Sequence, residues 1–216
     1  MILEVRNICK TLNKRKILSN VTLTLEGGYI YGFVGRNGSG KTMLFRALSG
    51  LMKPDSGEVI YDGKQLHKDM TMLPNLGIVL ENAGLYTEFS GFKNLKMLAK
   101  LRKQIADEEI RQSILRVGLD PEDKRPIRKY SLGMKQRIVL AQAIMEKPDV
   151  LMLDEPTNAL DENGIEEVRK IILEEKRRGA LILLASHNKE DITLLADKVF
   201  YIKDGTIMNE AGSDSE

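Results

Sequence analysis

An α/β fold built on a parallel sheet is predicted for this chain of 216 residues by three apolar runs, each of which ends in chemistry-bearing residues. The run at 29–34 leads straight into Gly35-Arg36-Asn37-Gly38-Ser39-Gly40-Lys41-Thr42 and then into an amphipathic stretch beginning Met43-Leu44-Phe45, the order strand, glycine-rich turn, helix. The run at 150–153 ends in Asp154-Glu155 and is stopped by Pro156. The run at 180–185 ends in Ser186-His187. Short apolar runs without alternation suit strands covered on both faces, and such strands are parallel and deliver their terminal residues to one carboxyl edge.

The remaining elements follow in order along the chain. Runs at 2–8, 21–25 and 59–61 are β-branched and alternating, the last framed by Ser56-Gly57 and Asp62-Gly63 turns, and they predict a small antiparallel layer beside the core. In the octapeptide, Gly35, Gly38 and Gly40 let the backbone wrap with its N–H groups inward, and the following helix adds the positive end of its dipole. Asn37, Ser39 and Met43 complete this phosphate cradle. Lys41 is expected to reach the β- and γ-phosphates of a nucleotide, and the Thr42 hydroxyl to ligate Mg²⁺. A strand is expected at 76–80. From about 82 to 129 the pattern turns helical: Phe92, Leu95, Leu98, Ala99 and Arg102 keep helical spacing. Asp107 is the expected cap of a helix whose Ile110, Ile114 and Val117 form one stripe before Gly118 ends it. This divides a single domain, 1–216, into a core at 1–81 and 131–208, an inserted helical unit at 82–130 and a polar flexible tail at 209–216. Ser131 has N-cap chemistry for a helix through Glu146. At the strand end, Asp154 is placed to hold Mg²⁺ and Glu155 to polarise the water that attacks the γ-phosphate.

Between the glycine loop and the Asp-Glu strand stands Tyr130-Ser131-Leu132-Gly133-Met134-Lys135-Gln136-Arg137. Alone, a Ser-x-Gly ahead of a helix is an ordinary cap. In this position the stretch resembles the signature motif of ATP-binding cassette (ABC) ATPases, in a form seen in many bacterial exporter subunits, and the resemblance runs from Ile2 to about Met208. It implies a P-loop NTPase core of RecA-like type with an antiparallel β layer and a helical subdomain, with ATP and Mg²⁺ as cofactors. It further implies a head-to-tail dimer in which Ser131 and Gly133 contact the γ-phosphate held by the second nucleotide-binding subunit. Asn158-Ala159-Leu160-Asp161 resembles the loop that crosses that interface, with Asp161 its key acid, and His187 resembles the switch histidine that contacts the γ-phosphate. The other histidine, His67, lies in a polar loop and reads as solvated. The resemblance also implies a transmembrane permease as partner, placing the chain peripherally on the cytoplasmic face of the membrane.

Two positions depart from the family pattern. The early loop usually carries an aromatic residue that stacks on adenine, and the corresponding position holds Leu12. Glu81 stands where the family places a glutamine that ligates Mg²⁺ and senses the membrane subunit; a carboxylate also coordinates Mg²⁺, so Glu81 is counted with both the catalytic and the metal-binding residues. Glutamate there resembles the ATPases of lantibiotic-immunity exporters, which makes export of an antimicrobial peptide or a similar drug the expected activity. The loop at 82–91, with Leu85, Tyr86 and Phe89 expected on the surface, is where such a permease would dock.

Composition agrees with this picture. At 42% hydrophobic and 30% charged the chain suits one sizeable core. No apolar run approaches the roughly 18 residues that span a bilayer, and the start Met1-Ile2-Leu3-Glu4-Val5-Arg6 lacks the flanks of a signal peptide, so any membrane role is expected to come through a partner. The lone Cys9 suits a reducing cytoplasm. A net charge of +2 gives no support to a nucleic-acid partner. A soluble ABC ATPase serving repair, translation or cluster assembly is the alternative, but such proteins usually join two cassettes or insert long coiled coils, and neither pattern is present. An idle binding module is disfavoured by the intact Lys41, Asp154, Glu155 and His187.

Overall fold

The alternating N-terminal segments fold as a long hairpin, β1 (Ile2–Leu12) and β2 (Arg15–Glu26), closed by Asn13 and Lys14. Both turn residues have positive φ, 47° and 63°, the geometry of a two-residue turn whose twist matches that of the strands. The computed structural model describes residues 1–80 and 84–208, so Glu81 and the 209–216 tail lie outside the described residues. After β3 (Ile30–Val34) come α1 (Lys41–Ser49), β4 (Ser56–Tyr61), β5 (Lys64–Gln65) and β6 (Leu76–Val79). Next are α2 (Gly91–Arg102), α3 (Asp107–Arg116), a 3₁₀ turn at Ile127–Lys129, and α4 (Leu132–Ile144). The chain continues through β7 (Val150–Asp154), α5 (Glu162–Arg177), β8 (Leu181–Ala185), α6 (Lys189–Leu195), β9 (Lys198–Lys203) and β10 (Thr206–Met208).

Among the described residues these strands form two sheets. An antiparallel sheet has the order β2-β1-β4-β5, and a second sheet has the order β10-β9-β3-β8-β7-β6, parallel throughout except for β10. Every residue of β7 and β8 is buried, as uninterrupted apolar strands require. Their period-two alternation divides the interior into two cores. Val150, Met152, Leu181 and Leu183 point with Tyr31 and Phe33 into a core shared with α1 and the antiparallel sheet, where Leu44, Phe45 and Leu48 are fully buried. Leu151, Leu153, Ile182 and Leu184 point the other way, into a core with Ile138 and Ile144 of α4, Val168 and Ile172 of α5, and Leu95, Ile110 and Ile114 of the two helices before it.

Three local expectations are adjusted. The N-cap of α3 is Ala106, not Asp107, because the Glu109 carboxylate reaches back to accept the Ala106 N–H at 3.0 Å. Of Leu85, Tyr86 and Phe89, Tyr86 stays exposed at 56%, whereas Leu85 packs against the helical core and the Phe89 ring lies under Lys93 Nζ at 3.8 Å. His67 is half-buried rather than solvated, at a turn with φ +62° where its backbone N–H donates to the Met70 carbonyl at 2.6 Å and its Nε2 is shielded from solvent.

One buried acid ties together the segments that follow β7 and β8. Asp191, on α6, is fully buried and accepts hydrogen bonds from Thr157 Oγ1 at 2.6 Å and from Arg169 Nε of α5 at 2.8 Å. Ser186 Oγ stands 3.4 Å away. Removing one member of such a pair leaves a buried charge unmatched. Asp191→Asn is therefore expected to lower unfolding free energy by about 2–3 kcal/mol, the lower end of the range because Arg169 keeps Glu190. Glu190→Gln, removing an exposed acid, is expected to lower it by under about 1 kcal/mol. Urea unfolding of both variants checks the difference, and equal midpoints would contradict it.

Candidate nucleotide site

The turn between β3 and α1 is shaped by what its glycines permit. Gly40 occupies the N-cap of α1 at φ +114°, and Gly38 has φ +77°. At Gly35 a Cβ would come within 2.4 Å of the Ile202 carbonyl oxygen and 2.5 Å of Ser39 Oγ, so the loop lies against β9 with no room for a side chain. Lys41 is 6% exposed, and its Nζ donates to the carbonyls of Gly35 at 2.6 Å and Arg36 at 3.4 Å, which pins the ammonium across the loop. Among the described residues Ser39 Oγ is shielded from solvent without a hydrogen-bond partner, and α1 begins without a side-chain cap. Free N–H groups, a dipole end and a buried ammonium at one point make an anion cradle.

Across from it, Thr42 Oγ1 donates to Asp154 Oδ2 at 2.5 Å, and Asp154 is only 6% exposed. A hydroxyl and a carboxylate side by side are hard oxygen donors of the kind that hold Mg²⁺ with its remaining waters and phosphate oxygens. The donors and the cradle together fit a magnesium nucleotide. Glu155 follows with φ +52°, an unusual conformation for a residue with a side chain. It is held by its N–H donating to the Ala185 carbonyl at 2.8 Å and by Gln136 Nε2, which donates to the carbonyls of Glu155 and Pro156 at 3.2 Å each. The Glu155 carboxylate accepts the His187 N–H at 3.2 Å and lies 2.7 Å from His187 Nδ1. These groups line a cavity of about 520 Å³ with Asn37, Gly38, Gly40, Lys41, Thr42 and Met43 on the loop side and Asp154, Glu155, Asn158 and His187 opposite.

Ser131, Gly133 and Asp161 do not line that cavity. They lie instead with one another. Ser131 caps α4 by accepting the Met134 N–H at 3.1 Å, and Asp161 caps α5 by accepting the Gly164 N–H at 3.1 Å. Arg137 of α4 stands 3.7 Å from Asp161 and pairs with Glu167 of α5. Gly133 packs so close to the loop before α5 that a Cβ would sit 2.9 Å from the Ala159 carbonyl oxygen. Leu12 is 41% exposed and also lies off the cavity wall, which takes Ile17 and Arg46 instead. Sequence reasoning does not single out Ile17, Arg46 or Gln136. For Gln136 a signal existed, since it stands on α4 one turn past Gly133 inside the Tyr130–Arg137 octapeptide; for Ile17 none did, because register breaks around Lys10 defeat counting along the hairpin.

A strand, glycine loop and helix facing a strand-end acid pair at the carboxyl edge of a parallel sheet define a P-loop nucleotide-binding protein. Sequence likeness narrows the class. The pattern of the ABC transporter family matches residues 18–158. The chain is 48% identical to the uncharacterized ABC transporter ATP-binding protein YybJ of Bacillus subtilis, over 95% of this chain and 94% of that protein. It is 36% identical to the lantibiotic transport ATP-binding protein SrtF of Streptococcus pyogenes, over 99% and 92% of the two chains. It is 37% identical to the bacitracin transport ATP-binding protein BcrA of Bacillus licheniformis, over 99% and 70%. In fold it matches the dimeric ABC transporter cassette MJ0796 with a TM-score of 0.87 at 20% identity, over 96% of this chain and 97% of that one. The chain belongs to the ABC transporter family, as an ATP-binding subunit with ATPase chemistry.

Glycines 35 and 38 differ in a way that binding can read. Among the described residues Gly38→Ala meets no atom within 4 Å and carries only left-handed strain, about 1–2 kcal/mol, so its ATP affinity is expected to fall by no more than about thirtyfold. Gly35→Ala must displace Ser39 or β9, and a larger loss is expected. Titration with a fluorescent ATP analogue checks the order, and a Gly35→Ala chain that binds like the parent would contradict the packing described.

Proposed function

We propose that two copies of this chain close head to tail around two Mg-ATP and so drive a transmembrane permease that exports antimicrobial peptides. The observation that carries the dimer is the division of the site. Ser131, Gly133 and Asp161 gather at the N-termini of α4 and α5, none of them lining the chain's own cavity, and a second copy would bring them over the phosphates. In each site the loop N–H groups and Lys41 bind the β- and γ-phosphates. Thr42 and Asp154 hold Mg²⁺, which when bound offsets the triphosphate charge. Glu155 acts as general base toward the attacking water, oriented by His187, and His187 follows the γ-phosphate as the dimer closes. Glu81 adds a carboxylate to the metal site and links it to the permease. The helical unit 82–130 carries the docking surface, where Tyr86 is exposed.

No helix among the described residues is long and apolar enough to cross a membrane. By its family we place the chain on the cytoplasmic face through a permease. The peptide substrate is supported by the relatives SrtF and BcrA, whose names give lantibiotic and bacitracin transport, and by Glu81.

Glu155→Gln tests the chemistry and the dimer together. It removes the base while leaving every phosphate contact, so ATP binding is expected to persist while turnover falls on the order of 10²–10⁴-fold. The bound ATP is expected to shift the variant to a dimer on size-exclusion chromatography. Cells carrying the permease are expected to lose peptide-antibiotic resistance with this variant. A variant that hydrolyses at the parent rate sinks the base, one that stays monomeric sinks the sandwich, and unaltered resistance sinks the transport role.

A further inference from the structure

The cavity that holds the phosphate cradle extends past it to Ile17 of β2 and Arg46 of α1. Arg46 comes four residues after Thr42 and three after Met43, so all three share one face of α1, with Arg46 about 6 Å farther along the axis from the cradle. Ile17 lies over the start of the same helix, its carbonyl oxygen 3.0 Å from where a Cβ on Gly40 would stand. Among the described residues the Arg46 guanidinium has no carboxylate or carbonyl partner, and the side chain is exposed. No phenylalanine, tyrosine or tryptophan lines the cavity, and Leu12 lies off its wall.

We infer that Arg46 is the nucleobase-binding residue of this site, its guanidinium plane stacking on a purine whose other face rests on Ile17. The inference rests on this cavity being the ATP site and adds what grips the base there. A guanidinium is planar, delocalised and weakly hydrated, so it stacks on a π-face as an aromatic side chain does, whereas a lysine ammonium offers only a point charge. Ile17 supplies an apolar platform that needs no hydrogen bond. Stacking of this kind reads the face of a base and not its edge. It favours purines over pyrimidines by area and distinguishes adenine from guanine weakly.

The test uses the purified chain with Arg46→Ala and Arg46→Lys, titrated with ATP, GTP, CTP and inorganic triphosphate in the presence of Mg²⁺. Loss of stacking is expected to weaken ATP and GTP by about tenfold in Arg46→Ala, CTP by less, and inorganic triphosphate not at all. Arg46→Lys, which keeps the charge and loses the plane, is expected to bind ATP like Arg46→Ala. Circular dichroism confirms that the variants fold. An equal loss on inorganic triphosphate, or full affinity for ATP in Arg46→Lys, would make Arg46 a phosphate-side point charge and overturn the inference. Unchanged ATP binding in Arg46→Ala overturns it too. If the parent chain binds inorganic triphosphate but gains nothing from the base, the base site falls while the phosphate cradle stands; if it binds neither, the assignment of the cavity to ATP falls first and takes this inference with it.

Discussion

Because β3, β8 and β7 lie side by side and parallel, their carboxyl ends leave the sheet at one edge, and every side chain of the cavity's phosphate end depends on that. The register places Asp154 beside Ala185 and Ala185 beside Phe33, so the acid pair, the Ser186-His187 turn and the glycine loop begin within neighbouring strands of one another. Reversing any one strand would carry its loop to the opposite edge of the sheet. The apolar character of these strands is thus a functional constraint as well as a packing one. A strand with one polar face would belong at an edge or in an open antiparallel layer, where it could not deliver an acid next to the Lys41 cradle.

Rigidity at the edge is assembled from polar links between segments that are distant in sequence. Glu155 sits in a left-handed conformation that a free chain would avoid, and it is kept there by the Ala185 carbonyl, by Gln136 and by His187. Two residues further on, Thr157 is fastened to buried Asp191, which also faces Ser186 one residue before His187. The carboxylate and the imidazole are therefore braced from the same point on α6. If the pair meets a phosphate as proposed, it gains from being ordered before the nucleotide arrives, since the ordering entropy has then been met during folding.

Much of the fold could be read before any coordinates, and the reasons differ between elements. The three apolar runs before chemistry-bearing residues became β3, β7 and β8, because strands buried on both faces cannot hide their composition. The glycine loop was legible because left-handed and sterically closed positions at Gly40 and Gly35 leave glycine little competition. The pairing of Glu155 with His187 was not legible, since it depends on which strand neighbours which. α5 carries an amphipathic pattern that is countable in the sequence, whereas β10 is only a three-residue edge strand with little signal of its own. Leu12 was the natural aromatic-equivalent position by counting, but bulges in the β1–β2 register turn the cavity wall over to Ile17. Such breaks are set by cross-strand hydrogen bonding and leave no mark in composition.

The separation between the phosphate cavity and the Ser131–Asp161 face has an energetic consequence. If each nucleotide is gripped by the cradle of one copy and the α4 N-terminus of another, ATP binding and association are linked functions, and any gain in one appears as an equal gain in the other. The internal links favour this division. Arg137 joins α4 to α5 through Asp161 and Glu167, and Gly133 lies against the Ala159 backbone, so the two helix N-termini of that face are tied to each other by direct contacts. Gln136 then connects the same helix to the Glu155 and Pro156 carbonyls of the chain's own catalytic edge. One element therefore carries the Ser131–Gly133 end and also reaches the Glu155 backbone. If a second copy closes on that face as proposed, contact there is positioned to be felt at Glu155 through a single helix.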